Sequence, residues 1–449
     1  MARILVVDNS LFEGPIFRLL LEGHEVIHYN EWKQSLDPKS LAYGKGILTA
    51  FSNYKMVDDF ISYLDWSDVI VFTDCNNGAT ADRLREKGYN VWGASSLGTA
   101  LETERGLYKK YGLFENSPKE EKAKSYEEAR KILKSGEFKR PVLKADLITS
   151  SALKTYVSRS IDDALVHLER LNEAGAFEGE KGGVLICEYI EGVEIAIDVI
   201  VGKNGFVTPF VISHENKRMF PGDLGPLTGE MGTVVYNLDP EKDSLKLAEV
   251  LTKHEDWYTQ NYGTGCLDIN MIVSYEDGKP YILEYTSRFG YPYILIWLAS
   301  CAQDFGEVLV KVPKGELKSI EVSSDFIIGA RYITLSYIRN LDTKWPVFFT
   351  KEGLELLGTK ILPENMEFEN GVFYAKDVAL VANGIGETMY DAYFDLYENV
   401  LPEVYIPDGA YRTDLGIRVV NEAHFLYETG YISSWRYENM IKNFHEALK

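Results

Sequence analysis

From residue 213 to 232 the chain reads SHENKRMFPGDLGPLTGEMG, with four glycines and two prolines from Pro221 onward. Glycine and proline penalise helix interiors and central strands alike. Yet apolar runs of strand character flank the segment, at 206–212 and 232–236. Any fold of this chain must therefore carry a long loop between two strands. In a compact domain such a loop is either functional or disordered. Its Lys, Arg, Asp and Thr among small residues suit polyphosphate or carboxylate handling.

The first hundred residues set the architecture around that loop. Short apolar runs at 4–7, 25–29, 68–72 and 90–92 read as strands, and 11–22 and 79–87 read as helices. This alternation predicts a parallel sheet covered on both faces. Ligands of such sheets sit beyond the carboxyl ends of the strands, which here are Asp8-Asn9-Ser10 and Thr73-Asp74-Cys75-Asn76. No GxGxxG follows the first strand, so a dinucleotide site is not expected. Further on, a helix is expected over 100–111 and a charged stretch over 115–134 with helical spacing in its second half. Strands follow at 142–145, 184–189, 194–201, 266–273 and 281–285, with a helix at 161–171. Beyond about 320 short strands dominate, with a helix at 388–400 and a helical tail from Asn421.

Composition narrows the function. The chain has 449 residues, 45% of them apolar, and a formal charge of −21. It can bury several cores, and it lacks the basic face that a nucleic acid as main ligand would require. Cys75, Cys187, Cys266 and Cys301 have no metal-ligand spacing, which fits free thiols and a reducing cytoplasm. No secretory signal is visible at the N-terminus, and no apolar run is long enough for a membrane span.

Several constellations carry chemistry. Lys144, at the end of a strand, reads either as a solvated rim residue or as a phosphate clamp. The small polar run Thr149-Ser150-Ser151-Ala152-Leu153-Lys154 reads either as a plain surface loop or as a lid over phosphates. Glu188-Tyr189-Ile190-Glu191-Gly192, followed by Glu194, fits an acidic hairpin turn or an adenosine site. Asp268 and Asn270 share one face of a strand, and Glu284 and Thr286 share one face of the next. Oxygen ligands on adjacent strands suit a hard cation such as magnesium or manganese, and the alternative is a polar sheet face. Arg288 continues the alternation and could neutralise a transferring phosphoryl group.

In this order the pieces resemble ATP-grasp ligases, and within them the glycinamide ribonucleotide synthetase (phosphoribosylamine–glycine ligase) family. Glu215-Asn216-Lys217-Arg218 and Gly222-Asp223-Leu224-Gly225-Pro226-Leu227-Thr228-Gly229-Glu230-Met231-Gly232 are similar to the family's charged loop and its D-x-G-P-x-T-G-G-M-G signature. VLKAD from Val142, CEYIEGVE from Cys187, EYTSRFGYP from Glu284 and Tyr411-Arg412-Thr413-Asp414-Leu415-Gly416 match further family elements. The likeness runs over about 1–418, and the tail from about 419 reads as an addition.

The resemblance implies a multidomain α/β and α+β fold. A Rossmann-like domain would span 1–103, an ATP-grasp domain 104–320 with a mobile lid at about 113–187, and a C-terminal mixed domain 321–449. It implies ATP held by Arg105, Lys144, Ser150, Ser151, Lys154, Glu188, Ile190, Glu194, Lys217 and Arg218. Magnesium or manganese would be held by Glu284, Thr286, Asp268 and Asn270. Substrates would meet Asp8, Asn9, Ser10, Asp74, Asn76, Asp223, Gly225, Pro226, Thr228, Met231 and Arg288, and the catalytic roles fall to Arg288, Asp223 and Lys217.

The departures matter as much. The family's glycine-rich loop after the first strand is Asp8-Asn9-Ser10-Leu11-Phe12 here, its G-P-E element is Thr73-Asp74-Cys75-Asn76, and its metal-binding Asn is Thr286. The expected activity is an ATP-dependent carboxylate–amine ligase that uses glycine or another amino acid and a changed amine. An authentic phosphoribosylamine–glycine ligase and a non-catalytic nucleotide-binding or assembly protein are the alternatives. A monomer or homodimer acting on small molecules is expected, with no membrane partner.

Overall fold

A computed structural model describes residues 1–31, 45–104, 106–145, 155–179 and 182–444. The chain opens with five strands, β1 (Arg3–Asp8), β2 (Glu25–Asn30), β3 (Tyr54–Val57), β4 (Val69–Phe72) and β5 (Val91–Ala94), paired in parallel in the order β3–β2–β1–β4–β5. Ile4 and Val6 pack with Ile16 and Leu19 of the helix Glu13–Leu21, whereas Leu5 and Val7 pack with Ala81 and Leu84 of the helix Gly78–Glu86. Both faces of β1 are thus covered, which is why its sequence is continuously apolar rather than alternating.

A separate four-stranded sheet follows, with β6 (Glu120–Ala123), β7 (Pro141–Lys144), β8 (Thr155–Val157) and β9 (Val184–Glu188) in the order β6–β9–β7–β8. The helices Tyr126–Lys134 and Ile161–Glu173 cover it. Strand β6 falls in the stretch read only as charged. It is an edge strand with Glu120, Glu121 and Lys122 exposed, and charge at an edge discourages further pairing. The helix expected over 100–111 is two helices, Ser96–Thr103 and Leu107–Tyr111. Gly106, in the left-handed region at φ 79°, caps the start of the second.

The third unit is built on long antiparallel strands: β10 (Gly192–Gly202), β11 (Gly205–Glu215), β14 (Gly232–Asn237), β15 (Gly263–Ser274) and β16 (Pro280–Thr286). The glycine-rich segment is less of a loop than its composition suggests. Its first three residues finish β11, and a small hairpin, β12 (Arg218–Phe220) with β13 (Leu224–Leu227), fills most of the rest. The turn is possible because Gly222 sits at φ 70°. The C-terminal strands are β17 (Phe326–Ile333), β18 (Trp345–Phe349), β19 (Ile361–Pro363), β20 (Met366–Glu369), β21 (Val372–Ala375), β22 (Val378–Gly386) and β23 (Val404–Tyr405).

Strands β17, β22 and β19 extend the antiparallel sheet beyond β14. At the other side Gly263 and Thr264 of β15 pair with Ala94 and Gly93 of β5, so the N-terminal sheet and the central one are continuous. The helix expected at 388–400 begins with a capping box at Thr388 and becomes a π-helical turn over Asp395–Val400. The tail is no appendage. Its helices Ile417–Glu428 and Ser434–Ile441 bury Leu426 and Met440 in the main core, and Phe444, just after the second, is buried there too. Arg436, also buried, donates to Asp243 at 2.6 and 2.8 Å. Among the described residues no helix is long and apolar enough to cross a membrane, and all four cysteines are free thiols.

Candidate active site

The predicted cation ligands are cross-strand neighbours. Asp268 of β15 lies opposite Thr286 of β16, and Asn270 opposite Glu284. On the other flank of β15, Asp198 of β10 lies opposite Asp268. Asp198, Asp268 and Asn270 are buried, with Asn270 Nδ2 donating to Asp268 Oδ1 at 3.2 Å and Ser213 Oγ to Asp198 Oδ2 at 3.3 Å. Burial pushes both aspartyl carboxyls well above their ordinary range. Nearby Glu215 pushes Asp198 further, and Asp198, Glu215 and Glu284 do the same to Asp268. An all-oxygen donor set with this much crowded negative charge fits a hard divalent cation.

Lys217 follows β11 and reaches back over the sheet. Its Nζ lies 2.9 Å from Glu194 Oε1 and 2.8 Å from Glu215 Oε2. Burial opposes its charge, but Glu194, Glu215 and Glu284 outweigh burial and hold its pKa well above the usual lysine value. Glu194 is held below the carboxylate range in return, first by Lys217 and then, against burial, by Arg418 and Lys144. Lys144, half-buried at the end of β7, therefore faces the same carboxylate from the smaller sheet. Glu188 is exposed at the end of β9, where its carboxylate accepts from the Lys119 N–H at 3.3 Å. Ile190 is half-buried in the link to β10. Arg105, Ser150, Ser151 and Lys154, like Asp146, Thr149, Ala152 and Leu153, lie outside the described residues.

At the carboxyl ends of β1 and β4 the polar residues hold one another. Asp8 accepts from Thr73 Oγ1 at 2.9 Å and meets His28 Nε2 at 3.3 Å, and Ser10 accepts from Asn30 Nδ2 at 2.6 Å. Asn9 donates to Asp74, whose other oxygen caps the Cys75 N–H at 2.6 Å. Asn76 faces solvent and its neighbour Asn77 turns inward to Glu31 at 3.0 Å. Asp8 and Ser10, expected to meet substrate, are thus buried in an internal network. Arg288 reaches this end from beyond β16. Its Nε lies 3.3 Å from Glu102 Oε1 and 3.8 Å from Asp74 Oδ1. Burial opposes its charge, and the two carboxylates more than restore it.

The residues of the glycine-rich segment divide. Asp223, at the hairpin tip, is exposed and accepts from Arg412 Nη1 at 2.9 Å, while Asp414 takes two further Arg412 bonds at 2.8 and 2.7 Å. Gly225, at φ 80°, turns its carbonyl to Arg218 at 2.7 Å, with Pro226 exposed beside it. Thr228 donates to the Lys217 carbonyl at 2.9 Å and so fixes the backbone beneath that lysine. The Met231 side chain, expected to touch substrate, is fully buried against Ile333 and Val378. An apolar side chain packed on the paired ends of β17 and β22 completes a small core cluster, and the sequence motif alone cannot show which way it turns.

A cleft of about 620 Å³ opens between these parts, lined by Asn9, Asp74, Gly229, Arg288, Tyr291, Arg331, Tyr337, Glu364 and Asp377 among others. The Arg331 guanidinium is committed to Glu364 at 2.9 and 2.5 Å and to the Glu230 carbonyl at 2.9 Å.

Residues 104–293 match the model of the phosphoribosylglycinamide synthetase ATP-grasp (A) domain. A phosphoribosylamine–glycine ligase of Methanocaldococcus jannaschii is 27% identical over 443 residues, covering 92% of this chain and 96% of that one. The enzyme of the same name from Halalkalibacterium halodurans is 26% identical over 365 residues, covering 76% and 79%. A crystal structure of phosphoribosylamine–glycine ligase from Thermotoga maritima superposes with a TM-score of 0.66 at 23% identity, over 91% of this chain and 99% of that one. The biotin carboxylase domain of Hydrogenobacter thermophilus 2-oxoglutarate carboxylase, solved with MgADP, gives 0.59 at 14% identity over 100% and 99%. The chain is an ATP-grasp ligase that resembles phosphoribosylamine–glycine ligase.

Several residues of this ATP-grasp ligase were not singled out from sequence. Asp198 and Glu102 carry no local motif, and only strand pairing and helix packing bring them to Asp268 and Arg288, whereas Glu215 lies two residues from its partner Lys217. Burial raises the Glu102 carboxyl even against Arg288 and the Ser287 N–H, which donates to it at 2.6 Å. Arg331 and Glu364 sit thirty-three residues apart with no local motif. One signal was available: Glu230 stands where the signature has its second glycine, and it is buried with Thr233 donating to it.

Proposed function

We propose that the chain joins a carboxylate to an amine at the expense of ATP, through an acyl phosphate. Residues 1–103 then carry the amine side, 104–320 the nucleotide with 113–187 as its lid, and 321–449 the wall of the cleft. ATP lies between the β6–β9 sheet and the central sheet, with Lys144 toward its phosphates and Glu188, Ile190 and Glu194 toward adenosine. Glu284, Asp268, Asn270 and Thr286 are the residues that would hold magnesium. When bound, the metal neutralises phosphate oxygens and lowers the barrier to transfer. Lys217 orients the nucleotide from its seat between Glu194 and Glu215. The carboxylate substrate attacks the γ-phosphorus, the bond to the bridging oxygen of ADP breaks, and Arg288 faces the charge that develops. The amine nitrogen then attacks the acyl carbon, loses a proton, and phosphate leaves.

The observation that supports this reading is the cross-strand set Asp268–Thr286 and Asn270–Glu284 with Arg288 close enough to act on the Asp268 carboxyl, because oxygen ligands beside an arginine suit phosphoryl transfer. As substrates the comparisons favour glycine and phosphoribosylamine, because relatives matched over most of this chain bear that name. A second reading, a different amine, is supported by the buried Asp8–Thr73–His28 network, which stands where the family has a glycine-rich loop. The test is ADP and amide formation, read by mass spectrometry, from ATP and amino acids crossed against amines. Amide formed from glycine and phosphoribosylamine supports the first pair. Amide only with another amine supports the second, and no ATP-dependent amide with any pair overturns the ligase reading.

A further inference from the structure

The tail, which the sequence presents as an addition, reaches the nucleotide end of the site. Arg418, the second residue of the helix Ile417–Glu428, donates from Nη2 to the Glu215 carbonyl at 2.7 Å and from Nη1 to Glu422 Oε1 at 3.4 Å. Glu215 holds Lys217 Nζ on its carboxylate at 2.8 Å, and the same Nζ lies 2.9 Å from Glu194. A guanidinium from the tail thus joins the cluster that Lys217 organises.

The helix has other fastenings. Phe425 meets Tyr275 edge to face at 4.7 Å, and beyond the helix Tyr431 donates to the Gly278 carbonyl at 2.8 Å. Tyr275 in turn gives its N–H to the Glu191 carbonyl at 2.9 Å, just before β10. The tail is therefore tied to the turn between β15 and β16, and through that turn to the acidic link that leads to Glu194. Loss of the Arg418 side chain leaves these ties in place.

Glu194 is the group on which the cluster converges. Lys217, Arg418 and Lys144 all favour its charged form, against burial. On the ligase reading Lys217 and Lys144 divide their charge between this carboxylate and the phosphates once ATP is bound. A half-buried carboxylate whose ammonium partner is drawn away is left with its desolvation uncompensated. Arg418 is anchored on a backbone carbonyl and on Glu422 of its own helix, and these partners lie outside that exchange.

We infer, resting on the nucleotide placement of the ligase reading, that Arg418 is a positioning residue for ATP. It supplies a standing counter-charge to Glu194, so that this carboxylate stays in place for the ribose hydroxyls while the two lysines turn to the phosphates. It also fixes the Glu215 backbone, two residues before Lys217.

The test is calorimetric titration of the full chain with adenylyl imidodiphosphate, a non-hydrolysable ATP analogue, in the presence of magnesium. Arg418→Ala is expected to weaken binding by about tenfold or more, as for loss of a charge-assisted contact. Arg418→Gln, which removes the charge and keeps an N–H donor, is expected to act in the same direction and serves if the alanine variant fails to fold. Glu194→Gln should weaken binding by itself, and in that background Arg418→Ala should change it by no more than about twofold, since residues acting through one another are not additive. A merely structural or long-range electrostatic role would leave the two effects additive. In amide formation, Arg418→Ala should raise the KM for ATP about tenfold and leave kcat within about twofold. The inference is overturned if the chain binds no analogue, if neither folded single variant weakens binding, if Arg418→Ala costs as much affinity in the Glu194→Gln background, or if kcat falls while KM stays. Binding that responds to Arg418 in a chain that forms no ATP-dependent amide would sink the ligase reading alone. Amide formation with binding indifferent to Arg418 would sink this inference alone.

Discussion

The two ends of the site use their charged groups differently. Around Lys217 the charges are opposite and cross-linked: one ammonium bridges Glu194 and Glu215, with Asp198 and Asp268 one strand away. At the ends of β1 and β4 the strand-end groups are acidic or neutral, closed on one another through Thr73, His28, Asn30 and Asn9, with Arg288 reaching in from beyond β16. On the proposed ligase reading the first arrangement would exchange internal partners for phosphates and a metal. The second is already satisfied internally, except at the Asn9 oxygen. On that reading with a different amine, the carboxylate-activating end would be kept while the amine end is closed by ordinary core hydrogen bonding.

The sharpest way to break this contrast is Arg288, which pairs with Asp74 at one end and acts electrostatically on Asp268 at the other. Arg288→Ala should lower kcat for ADP formation by about 10²–10³-fold, as for loss of a preorganised transition-state donor, with little change in the KM for ATP. An unchanged kcat in steady-state assays would remove Arg288 from the chemistry. Asp268→Asn tests the nucleotide end alone. The half-saturating magnesium concentration should rise about 10–100-fold, while amine binding stays as it was.

Asp8→Ala tests the closed end. It leaves Thr73 and His28 without their buried partner and should cost about 1–3 kcal/mol, read as a lower Tm. Affinity for ATP should not change, and a loss of nucleotide binding would show that the two ends are coupled.

The smallest effect concerns the tail. Burial lifts Glu422 from 4.5 to about 7, with Arg418 opposing the rise and Glu194 adding to it. The folded chain then binds a proton that the unfolded chain releases, so this group's contribution to stability is lost as pH rises from about 4.5 to about 7 and is level above that. Glu422→Gln should flatten that part of a Tm–pH curve, which chemical or thermal melts at several pH values would show.

How much of this was legible in the sequence depended on distance along the chain. The β1 and β4 runs, the β15–β16 hairpin and the Asp268/Asn270 and Glu284/Thr286 faces follow from period-two alternation and local turns. Side-chain direction within irregular segments does not follow. Met231 turns into the core, and Asn77 rather than Asn76 turns inward, because neighbours from β17, β22 and Glu31 decide the matter. Strand β6 was hidden by its charges, which an edge strand tolerates. Asp198, Glu102 and the Arg331–Glu364 pair are products of long-range pairing, so no local pattern could announce them.

Strand β15 deserves a last consequence. Its first residues pair with β5, and its middle carries Asp268 and Asn270 between β10 and β16. One extended backbone thus measures off the separation between the N-terminal sheet and the Asp268–Asn270 face, like a ruler fixed at both ends. A one-residue slip in its register would turn every side chain to the opposite face. On the proposed reading, closure over the nucleotide would fall to the separate β6–β9–β7–β8 sheet, while the span along β15 is set when the chain folds.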